Sequence, residues 1–208
     1  MSESPLRPRL VSGALVSVGD STTIVGFQYN PEQVSRTIEP QMVGGQTDRA
    51  YGVRFTGAPK ETITMQLRFD ATDGLEAGDA VTARLGIANR LAQLELLAYP
   101  SLDAIVRREA MLAQGVIEIV PDEAPLLMLL LGPNRSMPVR LQQLSITEQA
   151  FDATFNPIRA AVDVTLQVLS YSDVLPSNPA YRQFVSYQQA LVRFAAMVGA
   201  GTVTGSSA

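Results

Sequence analysis

A run of alternating apolar and polar positions lies near the end of residues 146–171 and predicts the central strand of a sheet. The apolar positions of this run are Val162, Val164, Leu166 and Val168. The positions between them are Ala161, Asp163, Thr165 and Gln167. A period of two is typical of a strand that buries one face. Upstream, Asn156-Pro157 favours a turn, because proline pushes the preceding residue out of the helical region. The stretch therefore predicts a strand, a turn and a strand.

Similar patterns predict further strands along the chain. The predicted strands comprise residues 9–18, 22–29, 33–39, 60–70, 126–131 and 137–146. The first two flank Gly19-Asp20, which suits the tight turn of a β-hairpin. Residues 60–70 alternate most clearly, with Ile63 and Leu67 on the face expected to be buried. The last two strands flank a Gly-Pro-Asn turn at residues 132–134, which predicts a second antiparallel pair.

Two segments have the three-to-four residue spacing of an amphipathic helix. Residues 80–98 repeat leucine at helical intervals, and the predicted helix ends near Tyr99-Pro100, because proline cannot continue it. Residues 180–198 form the second helix, after a Pro-Ser-Asn-Pro sequence that interrupts regular structure. Residues 101–118 are compatible with either helix or loop.

Size and composition favour one globular, β-rich domain. The chain has 208 residues, of which 46% are hydrophobic and 17% are charged, as in folded soluble domains. The pattern predicts a mainly β protein with helices, in the α+β class. We expect a β domain over residues 1–175, a helical extension over 176–200, and a flexible tail of small and polar residues over 201–208.

The residue content disfavours several classes of function. The net charge is −4 and the basic residues form no run, which argues against a nucleic-acid partner. The chain has no cysteine and no histidine, so the commonest metal ligands and general bases are missing. The acidic cluster at residues 70–76 lacks the spacing of an EF-hand and is interpreted as a loop. We expect no catalytic residue, cofactor or metal, and hence no enzyme.

The sequence shows no pattern typical of an export signal or of a membrane span. The N-terminal residues lack the basic region and apolar core of a secretory signal. The most apolar segment, residues 125–131, is much shorter than the roughly 20 residues that span a bilayer. We therefore expect synthesis in the cytoplasm and no insertion into a membrane.

Three separated segments of the sequence share the pattern of one known protein family. The first segment, Phe-Gln-Tyr-Asn-Pro-Glu at residues 27–32, resembles that family's Asn-Pro-Glu turn. The second runs from Val-Arg-Phe-Thr-Gly at residues 53–57 to the strand that ends in Leu-Arg-Phe-Asp at residue 70. The third lies within residues 146–160 and includes Asn156-Pro157. Occurring in this order over roughly residues 15–175, the three segments together resemble the N-terminal domain of contractile injection system tube proteins, a phage-tail-like baseplate family.

This resemblance implies a fold, an assembly and a set of partners. The implied fold is a tail-tube-like antiparallel β-sandwich or β-barrel with one packed helix, assembled as a homohexameric ring. Such rings connect the spike hub to the inner tube of a baseplate, so the implied partners are copies of the chain, the inner tube protein, the spike or hub protein and other baseplate proteins. The family's LysM domain is not found in this sequence. The implied location is a phage-tail-like particle, with release from the producing cell left open.

We expect two elements to make contacts between subunits. The glycine-rich loop of residues 40–60 requires unusual backbone angles and could be ordered by a neighbouring copy. The C-terminal helix carries tyrosines, which can bury their rings while their hydroxyls stay hydrated. The predicted contact residues are Gly44, Gly45, Arg49, Tyr51, Gly52, Tyr181 and Tyr187.

Two other functions are compatible with the sequence. The first is a stand-alone β-barrel that binds a small apolar or sugar ligand, because a barrel of about eight strands can enclose one. The second is a metal-free carboxylate hydrolase, which needs two acids facing one cleft. Such acids are plentiful in the sequence, but no pair of them stands out.

Overall fold

The computed structural model describes residues 12–18, 22–43, 54–115 and 125–198. Over these residues the chain forms nine strands and five helices. The strands are β1 (Ala14–Val18), β2 (Thr23–Gly26), β3 (Val34–Glu39), β4 (Met42–Val43), β5 (Arg54–Phe55), β6 (Lys60–Asp70), β7 (Leu126–Leu130), β8 (Ser136–Phe151) and β9 (Pro157–Val168). The helices are α1 (Thr72–Glu76), α2 (Ala80–Leu85), α3 (Ala88–Glu95), α4 (Leu102–Ala113) and α5 (Pro179–Val198).

Seven of these strands form one antiparallel sheet in the order β2-β1-β7-β8-β9-β6-β3. Strands β4 and β5 form a separate two-stranded ladder. The α+β class and the antiparallel sheet are therefore confirmed. The predicted strand-turn-strand of residues 146–171 corresponds to β8 and β9, which lie at the middle of the sheet. As described, this sheet is open, with β2 and β3 at its two edges.

The core lies on one face of this sheet because β6 and β9 expose and bury alternate residues. Ile63 of β6 pairs with Leu166 of β9, and both side chains are fully buried. Helix α3 covers this face with Leu91 and Leu94. Helix α5 covers it with an aromatic stripe that includes Phe184. The opposite face of β6 and β9 carries polar side chains, and no helix of the described residues lines the groove on it.

Most predicted strands agree with the structure. The opening hairpin is β1 paired with β2, and the third predicted strand is β3. The residue 60–70 prediction matches β6 in full. The two strands around residues 132–134 are β7 and β8, which pair as predicted. The C-terminal helix begins at Pro179 and is α5.

The single helix predicted for residues 80–98 is wrong. The chain instead forms α2 and α3, which are separated at Gly86. Gly86 has φ +58°, a backbone conformation that favours glycine and ends α2. The N–H of Ile87 then donates to the carbonyl of Pro157 at 2.9 Å, which attaches the break to the start of β9. The ambiguous residues after Pro100 contain helix α4.

Candidate assembly interface

Strand β3 forms one edge of the sheet. It pairs with β6 over six residues, and in the described chain it has no strand on its other side. Its residues from Ser35 to Glu39 are exposed. Strand β2 forms the opposite edge and pairs with β1. An edge strand offers unpaired backbone donors and acceptors to another chain, so the sheet has a docking edge on each of two opposite sides.

An exposed apolar ladder, hereafter the arm, follows the β3 edge. It consists of β4 and β5, in which Met42 pairs with Phe55 and Val43 pairs with Arg54. Met42 and Val43 are exposed, and Phe55 is 75% exposed. Ile38, near the end of β3, adds a further exposed apolar side chain. A group of apolar side chains with so little cover in one chain is typical of a surface that meets a partner.

The base of the arm is fixed to the rest of the molecule. The N–H of Thr56 donates to the carbonyl of Gln41 at 3.0 Å and closes the ladder. Two residues later, the N–H of Ala58 donates to the hydroxyl of Ser172 at 3.0 Å. These bonds determine where the arm leaves the sheet, close to the C-terminal end of β9.

Five of the seven predicted contact residues belong to the connection between β4 and β5. These are Gly44, Gly45, Arg49, Tyr51 and Gly52, and they lie outside the described residues. Their role between subunits stays a prediction. The structure adds the position of the arm that carries them, which the sequence did not indicate because strands of two residues are too short to alternate visibly.

Tyr187, the sixth predicted contact residue, lies inside the molecule and is only 4% exposed. Its hydroxyl accepts a hydrogen bond from the guanidinium of Arg36 on β3. Arg36 also pairs with the buried Glu61 of β6, with 2.8 Å between Nε and Oε1. Burial, reinforced by the charge of Glu61, raises the pKa of Tyr187 above its usual value. The tyrosine thus joins α5 to the β3 edge within one chain.

Tyr181, the seventh residue, is half-buried near the start of α5. Its N–H donates to the carbonyl of Asn178 at 3.1 Å, within the first turn of the helix. A contact of either tyrosine with another subunit stays a prediction. Tyr187 has little surface left for one, whereas Tyr181 retains part of its own.

The uncovered face of the sheet forms a polar groove of about 1090 Å³. Arg68 extends over it and pairs with Glu32 at 2.8 Å, and the amide of Gln66 donates to Asp163 at 3.0 Å. The charges along the groove are thus largely paired with opposite charges or with polar groups. No group of three or more acidic side chains suited to a metal occurs in the described part of the chain.

The segments that carry the family resemblance converge at one end of this groove. Gln28 of the first segment donates from Nε2 to the carbonyl of Asp70 at 2.8 Å and accepts from the Asp70 N–H at 3.0 Å. Arg159 of the third segment pairs with the Asp70 carboxylate at 2.8 Å. Hydrogen bonds from Thr72, followed by the pairing with Arg159, lower the pKa of Asp70. This network was not predicted, since the partners are separated by 42 and 89 residues.

Comparisons with known proteins find likenesses among solved structures. No protein-family model and no curated protein sequence matches the chain. Among solved structures, the chain is similar to a chain from the tail of an empty GTA particle with C6 symmetry. The two share 10% identity with a TM-score of 0.32, over 75% of this chain and 90% of the other. A likeness at this level carries no argument about fold or assembly.

Within the described residues, no helix combines the length and the apolar character needed to cross a bilayer.

Proposed function

We propose that this chain is a structural subunit of a phage-tail-like contractile injection particle. In this proposal it forms a ring in the baseplate that connects the spike hub to the inner tube. The observation that carries the proposal is the exposed arm beside β3, an edge strand with no further strand paired to it in the described part of the chain. The convergence of the three resembling segments around Asp70 supports it, because residues far apart in sequence then belong to one local structure.

Ring formation follows from the positions of the two edges. Strands β2 and β3 lie on opposite sides of the sheet, so the β3 edge of one copy can meet the β2 edge of the next. Two different surfaces are used in such a head-to-tail contact, and a contact of this kind gives a ring when its rotation closes. The arm lies next to β3 and would bury its apolar residues, including Phe55, against the neighbouring copy.

The two faces of the sheet have distinct roles in this proposal. One face is filled by the core and by helices α3 and α5, so it cannot face an open channel. The other face carries polar groups such as Gln66 and Arg68 and is compatible with a hydrated channel through the ring. The same division weakens the ligand-barrel alternative, because side chains such as Ile63 and Leu166 fill the space that an apolar ligand would need. That the chain is not an enzyme remains a prediction.

The test is electron microscopy of the purified chain, alone and together with the products of adjacent genes. Rings or sheathed particles are expected. Deleting residues 44–52 should abolish the rings while leaving the melting temperature of the chain nearly unchanged, since the described core contains none of these residues. A control replaces the same residues with a Gly/Ser linker of equal length, and it should also fail to assemble if the side chains of Arg49 and Tyr51 make the contact.

Two results would contradict the proposal. One is a wild-type chain that stays monomeric with every neighbouring gene product. The other is a deletion variant that assembles as well as the wild type. Binding of a small ligand by the monomer would instead favour the β-barrel alternative.

A further inference from the structure

The turn between β8 and β9 displays two stacked aromatic rings at one end of the molecule. The rings of Phe151 and Phe155 are parallel to within 2°, with centroids 4.4 Å apart. Phe155 is 77% exposed, and Phe151 is also exposed. We refer to residues 151–155 as the aromatic tip. Phe155 therefore gains little burial within its own chain, whereas Phe151 is 38% exposed and presents only part of its ring.

Phe155 adopts an unusual backbone conformation for an aromatic residue. Its φ is +66°, in the left-handed region where glycine is the usual residue. Large side chains in this region are disfavoured. The tip thus retains a strained and exposed phenylalanine where a glycine would fit, and strain of this kind is found where the residue has a role outside local folding.

Hydrogen bonds make the tip rigid. One carboxylate oxygen of Asp152 accepts from the N–H groups of Thr154 and Asn156, both at 2.8 Å. The side-chain amide of Asn156 donates to the other oxygen at 2.8 Å and to the carbonyl of Arg84 at 3.0 Å. The tip is therefore attached to helix α2 as well as to its own strands. A rigid aromatic pair loses little conformational entropy when it binds.

An apolar groove of about 790 Å³ lies at the other end of the molecule, on α5. We refer to it as the α5 groove. Tyr171, Val185 and Val192 line it and remain exposed, and Tyr171 packs edge-on against Phe184 at 6.0 Å between centroids. Arg193 is exposed at its rim and has no ion-pair partner among the described residues.

We propose that the aromatic tip of one copy docks into the α5 groove of a second copy. The groove is apolar and large enough for two phenyl rings, and the tip presents two exposed rings held in one geometry. The charges are complementary, since Asp152 and the exposed Glu148 accompany the rings while Arg193 borders the groove. This inference rests on the proposed ring-forming function and adds a contact that is separate from the lateral one.

The positions of the two surfaces determine the kind of assembly. The tip precedes β9 and Tyr171 follows it, so the twelve residues of β9 separate the two surfaces by roughly 35–40 Å along the strand. The contact therefore relates copies along the strands, whereas the contact between edges β2 and β3 relates them across the sheet. Repeated along the strands, a head-to-tail contact gives an open stack. The tip and the α5 groove thus join one ring to the next, so that the connection between hub and inner tube consists of stacked rings of this chain.

Disulfide cross-linking tests the contact directly, since the natural chain has no cysteine. The variants Phe155→Cys and Val192→Cys are prepared separately, with tags of different size, then mixed and oxidised. We expect a mixed dimer, because docking brings the two sulfurs within bonding reach. The matched control mixes Phe155→Cys with Leu102→Cys, a residue on α4 that is 73% exposed. It should give only the background level of cross-linking.

A glycine variant separates assembly from folding. Phe155→Gly removes the ring and relieves the left-handed strain, so the melting temperature of the single chain should stay within about 2 °C of wild type. Stacking of rings should weaken by about tenfold or more, as expected for a central aromatic contact. Val192→Glu should weaken stacking in the same way from the other side of the contact, by adding a charge to the groove.

The outcomes distinguish this inference from the proposed function. Cross-linking of the Phe155 and Val192 variants above the Leu102 control, with weaker stacking of Phe155→Gly, supports the tip-to-groove contact. Normal rings without that cross-link, or with unchanged stacking of Phe155→Gly, overturn the contact and leave the ring proposal standing. A chain that forms no ring under any condition overturns both.

Discussion

The two ends of β8 are built in opposite ways. At its start, Met137 and Val139 are buried between β7 and β9, in the main core. At its end, residues 147–151 are exposed, although their pairing with β9 continues. Strand β8 has 16 residues. Its first part is held in the core by apolar burial, and its last residues lead into the aromatic tip, which is held by hydrogen bonds.

This contrast indicates that one end of β8 stabilises the single chain and that the other end is available for contact with a partner. The buried end requires apolar side chains of a certain volume, because interiors are closely packed. The exposed end requires a defined shape, which the bonds of Asp152 and Asn156 provide without a core. Changes at the buried end should consequently lower the stability of the single chain, whereas changes at the exposed end should chiefly affect what the chain can bind.

The largest effect is expected from Leu166→Ala at the buried end. Leu166 is fully buried and pairs with Leu141 of β8 and Ile63 of β6. Its truncation should lower the free energy of unfolding by about 2–5 kcal/mol, through lost apolar contacts and a cavity. Chemical denaturation measures this. Thr165→Ala, on the polar face of the same strand, is the matched control and should change stability by about 0.5 kcal/mol or less.

Equal losses for Leu166→Ala and Thr165→Ala would contradict the assignment of the core to one face. A small loss of stability for both variants would contradict this assignment in the same way. The two variants differ by a single position along β9, so the comparison depends only on the face that each side chain occupies.

The next largest effect is expected from Gly86→Ala, where the connection between α2 and α3 contacts the start of β9. Gly86 has φ +58°, and an added Cβ would lie 2.1 Å from the carbonyl oxygen of Pro157. Strain and collision together should lower the free energy of unfolding by about 2–3 kcal/mol. The control is Gly132→Ala, which has φ +74° but no atom within 4 Å of the added Cβ.

Gly132→Ala introduces the backbone strain alone and should lower the free energy of unfolding by about 1–2 kcal/mol. Thermal or chemical unfolding of the two variants therefore isolates the collision with Pro157 as the difference between them. If both glycine variants lose the same stability, the close approach of the α2–α3 connection to β9 is not maintained in solution.

These glycines also indicate how much of the fold the sequence predicts. The alternation in β6 and β9 predicts both strands and their buried face, because each strand buries one side only. Helical periodicity continues through Gly86, so it predicts one helix where there are two. The signal for the break is the φ of a single residue and its distance to Pro157, and both depend on tertiary structure.

The candidate interface was predicted only in part, for a related reason. The glycine content of residues 40–60 predicts a long loop, but not the exposed β4–β5 ladder within it. The Asn-Pro pair predicts a turn after β8, but it does not indicate that Phe155 takes the left-handed conformation or stacks on Phe151. Tyr187 was predicted as a contact residue between subunits from its residue type alone. Its buried hydrogen bond with Arg36 could not be predicted, because the partner lies 151 residues away in the sequence.

A smaller effect is expected from Tyr187→Phe, which acts on the helix that covers the core. The variant keeps the buried ring and removes the hydroxyl that accepts from Arg36. Because Arg36 still pairs with Glu61, the loss should be about 1 kcal/mol. The control is Tyr181→Phe on the same helix, which should be close to neutral. If Tyr187→Phe is also neutral, the hydroxyl does not help to hold α5 on the sheet.

The smallest effect on global stability is expected from protonation of Asp152, at the exposed end of β8. Hydrogen bonds, chiefly from Asn156, lower the pKa of Asp152 from 3.8 to about 2. The ionised carboxylate of Asp152 accepts the hydrogen bonds that order the tip. This order is complete at pH values above 3.8, the usual pKa, and is lost as the pH falls through the lowered pKa of about 2. The amide resonances of Thr154 and Asn156, followed by NMR from about pH 5 to about pH 1, should therefore shift together with this midpoint.

Asp152→Asn is the control for this titration, since it removes the titrating group and should abolish the shared transition. A midpoint near 3.8 would mean that the bonds to Asp152 do not persist in solution, and the tip would then lose the rigidity on which its docking depends. A low midpoint together with an unchanged signal from Leu166 would establish that the two ends of β8 are ordered independently, by ionic hydrogen bonds at one end and by burial at the other.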